Sequence, residues 1–243
     1  QTGDRLIESV AMQLQDDGAW TAAFDRNLDG GYYDFIVDCA DGASFRSADP
    51  WARAAGINGR RSMVVDLPRT DPEGWAGDER PHTPLSETMV WEAHVGSFSN
   101  NPHGGFPKEH QGKFLAFTDA QTSLDGGGTF PTGIAYLKRL GVTAVQLLPF
   151  YDYGSVDESD ARQFNWGYDP LNYNVPEGSF STDPYDGAVR ITECKRMIQA
   201  LHAAGFKVIM DVVYNHMYSA ENFFERTVQG YYKPRNDDAT LSN

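Results

Sequence analysis

The chain has few cysteines, few basic residues and no long apolar run, and each of these features removes a class of function. Its two cysteines, Cys39 and Cys194, lie far apart, so they form neither a disulfide framework nor a metal site, and we expect two free thiols. There are 20 basic against 34 acidic residues, a net charge of −14, which argues against nucleic acid or an anionic membrane as a partner. No segment reaches the ~18 to 20 apolar residues that a membrane span needs. A neutral polymer such as a polysaccharide stays compatible with this composition.

Motifs for common cofactors are also missing. The triple glycine at 126–128 has neither dinucleotide-binding nor P-loop spacing, and the histidines lack a zinc-binding spacing. We therefore predict no cofactor and no metal. The chain opens at Gln1 with neither Met nor a signal peptide and reads as an excised or processed piece. Cytoplasmic and secreted locations both stay open.

Residues 1–67 have the pattern of an all-β domain. Short aromatic and β-branched runs at 20–24 and 32–37 are separated by a Gly- and Asp-containing turn, and a further run follows at 62–67. This spacing predicts an antiparallel β-sandwich. Its first strand begins so close to the N-terminus that upstream strands could be missing.

Residues 68–86 are rich in proline and glycine, which predicts a linker. Trp75, the large apolar residue within it, is expected to fix the linker to a neighbouring domain. From residue 87 to residue 243 the pattern changes to alternating strands and helices.

The α/β pattern predicts a parallel sheet with helical crossovers. Strands are expected at 89–95, 142–149 and 207–213, with helices at 131–140 and 188–204. Strands this apolar fit a barrel or a doubly wound sheet. The loop between the second strand and the second helix, 150–187, has about 38 residues, and a loop of this length is usually functional.

Three polar residues, Asp211, Asn215 and His216, follow the third strand. The carboxyl ends of parallel strands are where barrel enzymes place their chemistry. Each residue also has a structural interpretation: Asp211 as a helix cap or buried carboxylate, His216 as a hydrogen-bonded structural histidine, and Asn215 as the cap of a helix at 220–228.

The long loop is unusually aromatic. Such residues can pack the loop onto the sheet, or they can offer flat apolar faces to pyranose rings while nearby carboxylates, amides and imidazoles bind the hydroxyls. The aromatic residues are Phe150, Tyr151, Tyr153, Phe164, Trp166, Tyr168, Tyr173 and Phe180.

Two of these stretches resemble a known family. Residues 165–173, Asn-Trp-Gly-Tyr-Asp-Pro-Leu-Asn-Tyr, are similar to the signature loop of the type I pullulanases, although Phe164 stands where tyrosine is common. Residues 211–216 resemble the first conserved region of the α-amylase superfamily, glycoside hydrolase family 13. In the β-rich part, 47–54 and 64–67 resemble carbohydrate-binding module family 48. Isoamylases and branching enzymes carry related loops.

The resemblance implies a β-sandwich followed by the first three β/α units of a TIM (β/α)₈ barrel. It implies retaining hydrolysis of α-1,6-glucosidic bonds in an α-glucan polysaccharide such as pullulan, amylopectin or glycogen. The reacting carboxylates of the superfamily follow strands four, five and seven, and only three strands are recognised here.

We therefore expect no catalytic residue in this chain. The nucleophile and the acid/base are expected beyond Asn243, the last residue of the sequence, so that the chain is C-terminally truncated and inactive alone. The loop carboxylates Asp169 and Glu177 are not expected at strand ends.

The resemblance also implies roles for single residues. Tyr168 is expected to form the stacking surface for the sugar whose bond is cleaved, with Trp166 shaping the pocket. Asp211 is expected to hold an arginine from outside this chain that positions the nucleophile, and His216 to bind sugar hydroxyls. Asn215 is compatible with a structural calcium, although no metal is predicted.

Other functions stay open at this stage. Among enzymes the alternatives are a glycogen branching enzyme and an isoamylase-type debranching enzyme. Outside enzymes they are a non-catalytic glucan-binding protein and a barrel homologue that serves as a structural subunit.

Overall fold

The computed structural model describes residues 6–232. Residues 1–5 and 233–243, which belong to the first and last predicted segments, lie outside the described residues. Asn243, beyond which the reacting carboxylates are expected, is among them, so the structure does not test that expectation. No helix within the described range is long and apolar enough to cross a membrane.

The N-terminal part consists of short antiparallel strands. They form one three-stranded sheet of order β3-β7-β6 and the two-stranded pairs β1-β2 and β4-β5. The strands are β1 (Gln13–Leu14), β2 (Trp20–Thr21), β3 (Tyr32–Tyr33), β4 (Phe35–Asp38), β5 (Ser44–Ser47), β6 (Ala54–Ala55) and β7 (Ser62–Met63). A single 3₁₀ turn, Ile57–Gly59, joins β6 to β7. The β-rich character predicted from the sequence is confirmed, with strands shorter than predicted.

The second part contains a parallel three-stranded sheet of order β12-β9-β8. Val90 and Lys207 both pair with Ala144, so the three strands start and end level with one another. The elements are β8 (Val90–Ala93), α1 (Gly133–Leu140), β9 (Ala144–Leu147), β10 (Tyr151–Tyr153), β11 (Pro170–Pro176), α2 (Gly187–Ala203), β12 (Lys207–Met210) and α3 (Phe223–Thr227). The three parallel strands and first two helices were all predicted, within three residues at each boundary.

The largest apolar core of the described residues lies between the sheet and the helices α1 and α2. Ile134 and Leu137 of α1 and Met197 and Leu201 of α2 are almost fully buried, because their helical spacing places them on the sheet-facing side. Val145 of β9 packs against them. At ~1.5 to 3 kcal/mol for each buried aliphatic side chain, this core is the main source of stability for the second part.

Both cysteines are free thiols, as predicted: Cys194 is buried in α2 and Cys39 is partly exposed. The linker runs along α2. Trp75 lies with its ring centroid 5.5 Å from the Lys195 ammonium, which also binds Asp71 at 2.5 Å. Trp75 thus fixes the linker to the α/β part, as expected for the largest apolar side chain in it.

The loop at 150–187 is more ordered than predicted. It contains the antiparallel pair β10 and β11, in which Tyr153 pairs with Pro170 and Asp152 with Asn172. Two register shifts bend this pair. Asparagine, aspartate and proline dominate the pattern here and mask the strand signal. The aromatic residues 164, 166 and 168 lie in the connection between β10 and β11.

Candidate active site

Tyr168 and Asp211 meet at the carboxyl end of the parallel sheet. Asp211 follows β12 directly, and its backbone N–H donates to the Leu147 carbonyl, which continues the ladder by one residue. The Tyr168 hydroxyl donates a 2.6 Å hydrogen bond to Asp211 Oδ2. The Tyr168 side chain stays 38% exposed, so its ring remains accessible while its hydroxyl is fixed.

His216 binds the same loop through a different atom. Its Nε2 lies 2.7 Å from the Tyr168 backbone carbonyl, and because a carbonyl can only accept, Nε2 carries the proton. In return, the Tyr173 hydroxyl donates to the His216 carbonyl at 2.9 Å. Residues 211–216 are therefore connected to the long loop at both ends. In the neutral ring, Nδ1 of His216 remains an acceptor.

The carboxylate of Asp211 determines the electrostatics of Tyr168. Its hydrogen bond to the hydroxyl, together with partial burial, raises the pKa of Tyr168 to about 12. A smaller contribution comes from Glu92 in β8, whose Oε2 accepts from Gln146 Nε2 at 3.1 Å. Tyr168 thus stays protonated at any physiological pH and acts as a donor.

The backbone conformation of the residues around Tyr168 is fixed by a glycine and by hydrogen bonds. Gly167 has φ of 88°, and a Cβ there would lie 2.4 Å from the Pro149 carbonyl oxygen, so only glycine fits. Asn165 accepts from the Gly167 N–H at 2.9 Å and donates to Asp169 Oδ1 at 2.8 Å. Asp169 also accepts from the Ser155 N–H at 2.9 Å. These bonds make the signature stretch a rigid turn.

His94, which directly follows β8, contacts this turn through its ring. Its Nε2 contacts the Asn165 carbonyl at 2.9 Å, and its Nδ1 accepts from the Ser97 N–H at 3.0 Å. Its ring packs on Phe164, with centroids 4.8 Å apart, and on Phe180, at 5.3 Å. Burial lowers the pKa of His94, against the smaller raising effect of its bond to Asn165. The neutral ring satisfies both partners at once.

The other two predicted site residues, Trp166 and Asn215, make fewer contacts. Trp166 is 61% exposed and touches Phe164 edge to face at 6.2 Å, which leaves its indole accessible beside the turn. Asn215 is exposed, and among the described residues its side chain makes no hydrogen bond. The prediction that Asn215 caps a helix is wrong, because α3 begins later and its cap is Asn222, whose side chain accepts from the Glu225 N–H at 3.1 Å.

A buried charged cluster lies beneath the turn. Asp152, Glu158 and Glu177 place carboxylate oxygens within 4.8 Å of one another, and all three are buried. Arg190 of α2 enters this cluster and binds Glu158 through both terminal nitrogens, at 3.2 and 3.0 Å. Asp152 Oδ1 lies 3.7 Å from Arg190 Nη1 and accepts no hydrogen bond.

The cluster has more negative than positive charge, with consequences for its protonation. Burial, followed by repulsion from Glu158, raises the pKa of Glu177 to about 7. The same two causes raise the pKa of Asp152 well above its usual range. Of the described residues, these three carboxylates are the set that could hold a metal ion, and Arg190 already supplies a cation to it. That the chain carries no metal stays a prediction.

The expectation that neither Asp169 nor Glu177 lies at a strand end is wrong, because Asp169 directly precedes β11 and Glu177 directly follows it. Both are structural in their contacts. Glu177 is fully buried and accepts from the N–H groups of Tyr153, at 3.1 Å, and Ser179, at 2.8 Å.

Sequence reasoning missed His94, Glu92 and the buried cluster. His94 directly follows β8, so the strand-end argument that selected Asp211 also applies to it. Glu158 and Arg190 gave no such signal, because a charged residue in a polar loop or on a helix is normally solvated.

Comparison with known proteins places this geometry in a family. Residues 118–239, half of the chain, match the family model for the alpha-amylase catalytic domain. A pullulanase of Bacillus subtilis is 36% identical over 228 residues, which cover 93% of this chain and 31% of that protein.

Solved structures give the same result. The pullulanase of Paenibacillus barengoltzii in complex with maltohexaose and alpha-cyclodextrin is 43% identical with a TM-score of 0.90, covering 98% of this chain and 37% of that one. The pullulanase of Bacillus acidopullulyticus is 42% identical with a TM-score of 0.86, covering 94% and 28%.

The chain spans about a third of the length of these relatives. Within that length it combines a β-rich part with an α-amylase part. The chain therefore belongs to the α-amylase family, glycoside hydrolase family 13, and is similar to the pullulanases within it.

Proposed function

We propose that the protein containing this chain hydrolyses α-1,6-glucosidic bonds of pullulan, starch or glycogen with retention of configuration. The observation that carries the proposal is the Tyr168 ring, which is exposed at the strand ends while its hydroxyl is fixed by Asp211 at 2.6 Å. The family membership and the pullulanase names of its relatives support it. The relative from Paenibacillus barengoltzii binds maltohexaose, which supports an α-glucan as the ligand here.

The finer architecture is part of the proposal. Residues 1–67 would form a β-sandwich similar to carbohydrate-binding module family 48, residues 68–86 the linker, and residues 87–243 the first three β/α units of a (β/α)₈ barrel. The antiparallel pairs among the first seven strands and the parallel order β12-β9-β8 support this division. A complete barrel of this type has about 250 residues, more than the second part supplies.

Within this function the described residues bind and orient the sugar. A pyranose ring packs its C–H face on Tyr168, and Trp166 extends the apolar surface beside it. The acceptor Nδ1 of His216 can bind a sugar hydroxyl, since Nε2 is occupied by the Tyr168 carbonyl. Asp211 Oδ2 is occupied by the Tyr168 hydroxyl, which leaves Oδ1 for a cationic group such as the arginine that the family resemblance implies.

Retaining hydrolysis needs two carboxylates about 5 Å apart, one a nucleophile and one an acid/base. We propose that both lie beyond Asn243, in the part of the relatives' length that this chain does not span. The chain of 243 residues would then bind an α-glucan weakly without turning it over.

The test uses the full-length gene product and the chain of residues 1–243, each purified and incubated with pullulan. Release of reducing sugar as maltotriose by the full-length product is the expected result, with none from the 243-residue chain. Proton NMR of the first product formed should show the α-anomer.

Each contrary result has a distinct meaning. Turnover of pullulan by the chain of residues 1–243 would overturn the placement of the nucleophile and the acid/base beyond Asn243. Transfer of glucan segments without net hydrolysis would replace the proposal by a branching enzyme. Glucan binding without any turnover by the full-length product would replace it by a glucan-binding protein.

A further inference from the structure

The 3₁₀ turn between β6 and β7 inserts into the base of the long loop, although it belongs to the β-rich part. The turn consists of Ile57, Asn58 and Gly59, preceded by Gly56, and we call residues 56–59 the hairpin tip. Asn58 adopts a left-handed conformation, with φ of 58° and ψ of 25°, which is uncommon for a residue other than glycine. Asparagine tolerates this region better than most residues, so the local cost is modest.

The hairpin tip forms a reciprocal pair of bonds with the long loop. The Asn58 N–H donates to Glu158 Oε2 at 2.5 Å, and the Glu158 N–H donates to Asn58 Oδ1 at 2.8 Å. The Asn58 amide nitrogen also lies 3.5 Å from Asp157 Oδ1. These residues are about one hundred positions apart in the sequence, so the contact is a tertiary one between the two parts of the chain.

Gly59 contacts β10 and β11, the two strands at the base of the long loop. Its carbonyl accepts from Asn172 Nδ2 at 3.1 Å, and the same Nδ2 donates to Asp152 Oδ2 at 2.6 Å. Asp152 and Asn172 are cross-strand partners in β10 and β11. A Cβ on Gly59 would lie 2.1 Å from Asp152 Oδ2, so the close approach requires glycine.

Arg190 joins the remaining contacts. It donates to the Gly56 carbonyl at 3.2 Å while it binds Glu158. Glu158 Oε1 also accepts from the Gly178 N–H at 3.0 Å, at the far end of the loop. The hairpin tip, the segment that follows β11 and α2 therefore converge on the buried Glu158 carboxylate.

We infer that the hairpin tip is a positioning element for the turn at residues 165–169, which carries Tyr168, and that Asn58 is its principal positioning residue. The connection between β10 and β11 starts at Gly154 and ends at Asp169, and Tyr168 precedes β11 by two residues. Whatever fixes Glu158 and the Asp152–Asn172 pair therefore fixes the position of Tyr168. The β-rich part serves the site through this contact, without needing to bind glucan itself.

This inference rests on the proposed function for its kinetic test, and it also has a test that does not involve activity. In the full-length gene product, Asn58→Gly removes the amide side chain but keeps the left-handed backbone and the N–H bond to Glu158. We expect amide hydrogen exchange in residues 154–169 to become about five- to tenfold faster, with β9 unchanged, because the bond from the Glu158 N–H and the longer contact with Asp157 are both lost.

A double variant that swaps the two side chains, Asn58→Asp with Asp157→Asn, tests the pairing itself. This swap moves the carboxylate to the hairpin tip and the amide to the loop, and it keeps the acceptor for the Glu158 N–H. Amide hydrogen exchange in residues 154–169 should therefore be slower than in Asn58→Gly. Asn27→Gly is the matched control, since Asn27 is an exposed asparagine in another turn of the β-rich part, where it accepts from the Asp29 N–H at 2.9 Å. It should leave residues 154–169 unchanged.

A double-mutant cycle with Tyr168→Ala separates positioning from general stability. If Asn58 acts through Tyr168, Asn58→Gly should lower kcat/KM on pullulan about fivefold in the wild-type background and leave it unchanged when Tyr168 is already alanine. An equal loss in both backgrounds would overturn the inference, as would unchanged exchange in residues 154–169 of Asn58→Gly. A full-length product that never hydrolyses pullulan would refute the proposed function, and the exchange experiment would still decide the role of the hairpin tip.

Discussion

Replacing Tyr168 by phenylalanine and by alanine separates the two contributions of this residue. Phenylalanine removes only the hydroxyl that binds Asp211 at 2.6 Å, whereas alanine also removes the ring. A hydrogen bond to a charged group contributes about 1.5 to 3 kcal/mol when buried. Because Tyr168 is 38% exposed, solvent screening reduces this to about 1 kcal/mol.

The ring is expected to contribute more than the hydroxyl. One face of it is roughly 100 Å², about half of what an aromatic side chain buries, and covering that face by a sugar contributes about 2.5 kcal/mol at ~25 cal/mol per Å². With a tenfold rate change for each ~1.4 kcal/mol, kcat/KM should fall about fivefold in Tyr168→Phe and about 300-fold in Tyr168→Ala.

The assay is initial-rate hydrolysis of pullulan by the full-length gene product, with circular dichroism to confirm that each variant is folded. The loss in Tyr168→Ala should appear mainly in kcat, because the distorted sugar in the transition state packs on the ring. If Tyr168→Phe is as damaging as Tyr168→Ala, the bond to Asp211 and not the ring carries the function, and the stacking role is refuted.

Three further predictions concern the groups around the site. Arg190→Met should destabilise the α/β part by about 3 to 5 kcal/mol in calorimetry, because it leaves buried carboxylates without their cation, whereas Arg162→Met at an exposed ion pair should cause no measurable change. Since the pKa of Glu177 is raised to about 7, its stabilising contribution is complete below about pH 4.5 and lost as pH rises through 7. The melting temperature should therefore fall between about pH 5 and 8, and a Glu177→Gln variant with the same slope would contradict this assignment. The pKa of His94, lowered by burial, should be found below 6.5 by NMR titration. As the pH falls through that pKa, Nδ1 becomes protonated and loses the bond from the Ser97 N–H, whereas the Nε2–H bond to the Asn165 carbonyl stays; a pKa above 6.5 would contradict the neutral, doubly bonded ring.

The sequence was sufficient for the parallel sheet and for placing Asp211 at the carboxyl end of its third strand. Apolar runs with glycine stops located the strands and helices, and the level strand ends put Asp211 and the start of the long loop on one face. The structural roles of Asp152, Glu158 and Glu177 could not be predicted. Their burial depends on Arg190, a partner distant in sequence, and no local pattern indicates that pairing.

The strands β10 and β11 illustrate the same limit. Asparagines in β11 favour turns as isolated residues, and they become strand residues because Asn172 binds both Asp152 and the Gly59 carbonyl. The cap of α3 was misplaced for a similar reason: Asn215 and Asn222 have equal capping propensity, and packing selects the second.

The long sequence separation of the contacts at the site has a consequence for folding. Tyr168 and Asp211 are 43 residues apart, and Asn58 and Glu158 are 100 apart. Closing such loops costs entropy before the contacts compensate for it, whereas each helix forms from local contacts alone. We expect the turn at residues 165–169 to be among the last regions to form, after β12 has paired with β9. Until then its exposed aromatic side chains are free to associate with other chains, so refolding yield should depend more steeply on protein concentration than the stability of the finished fold would suggest.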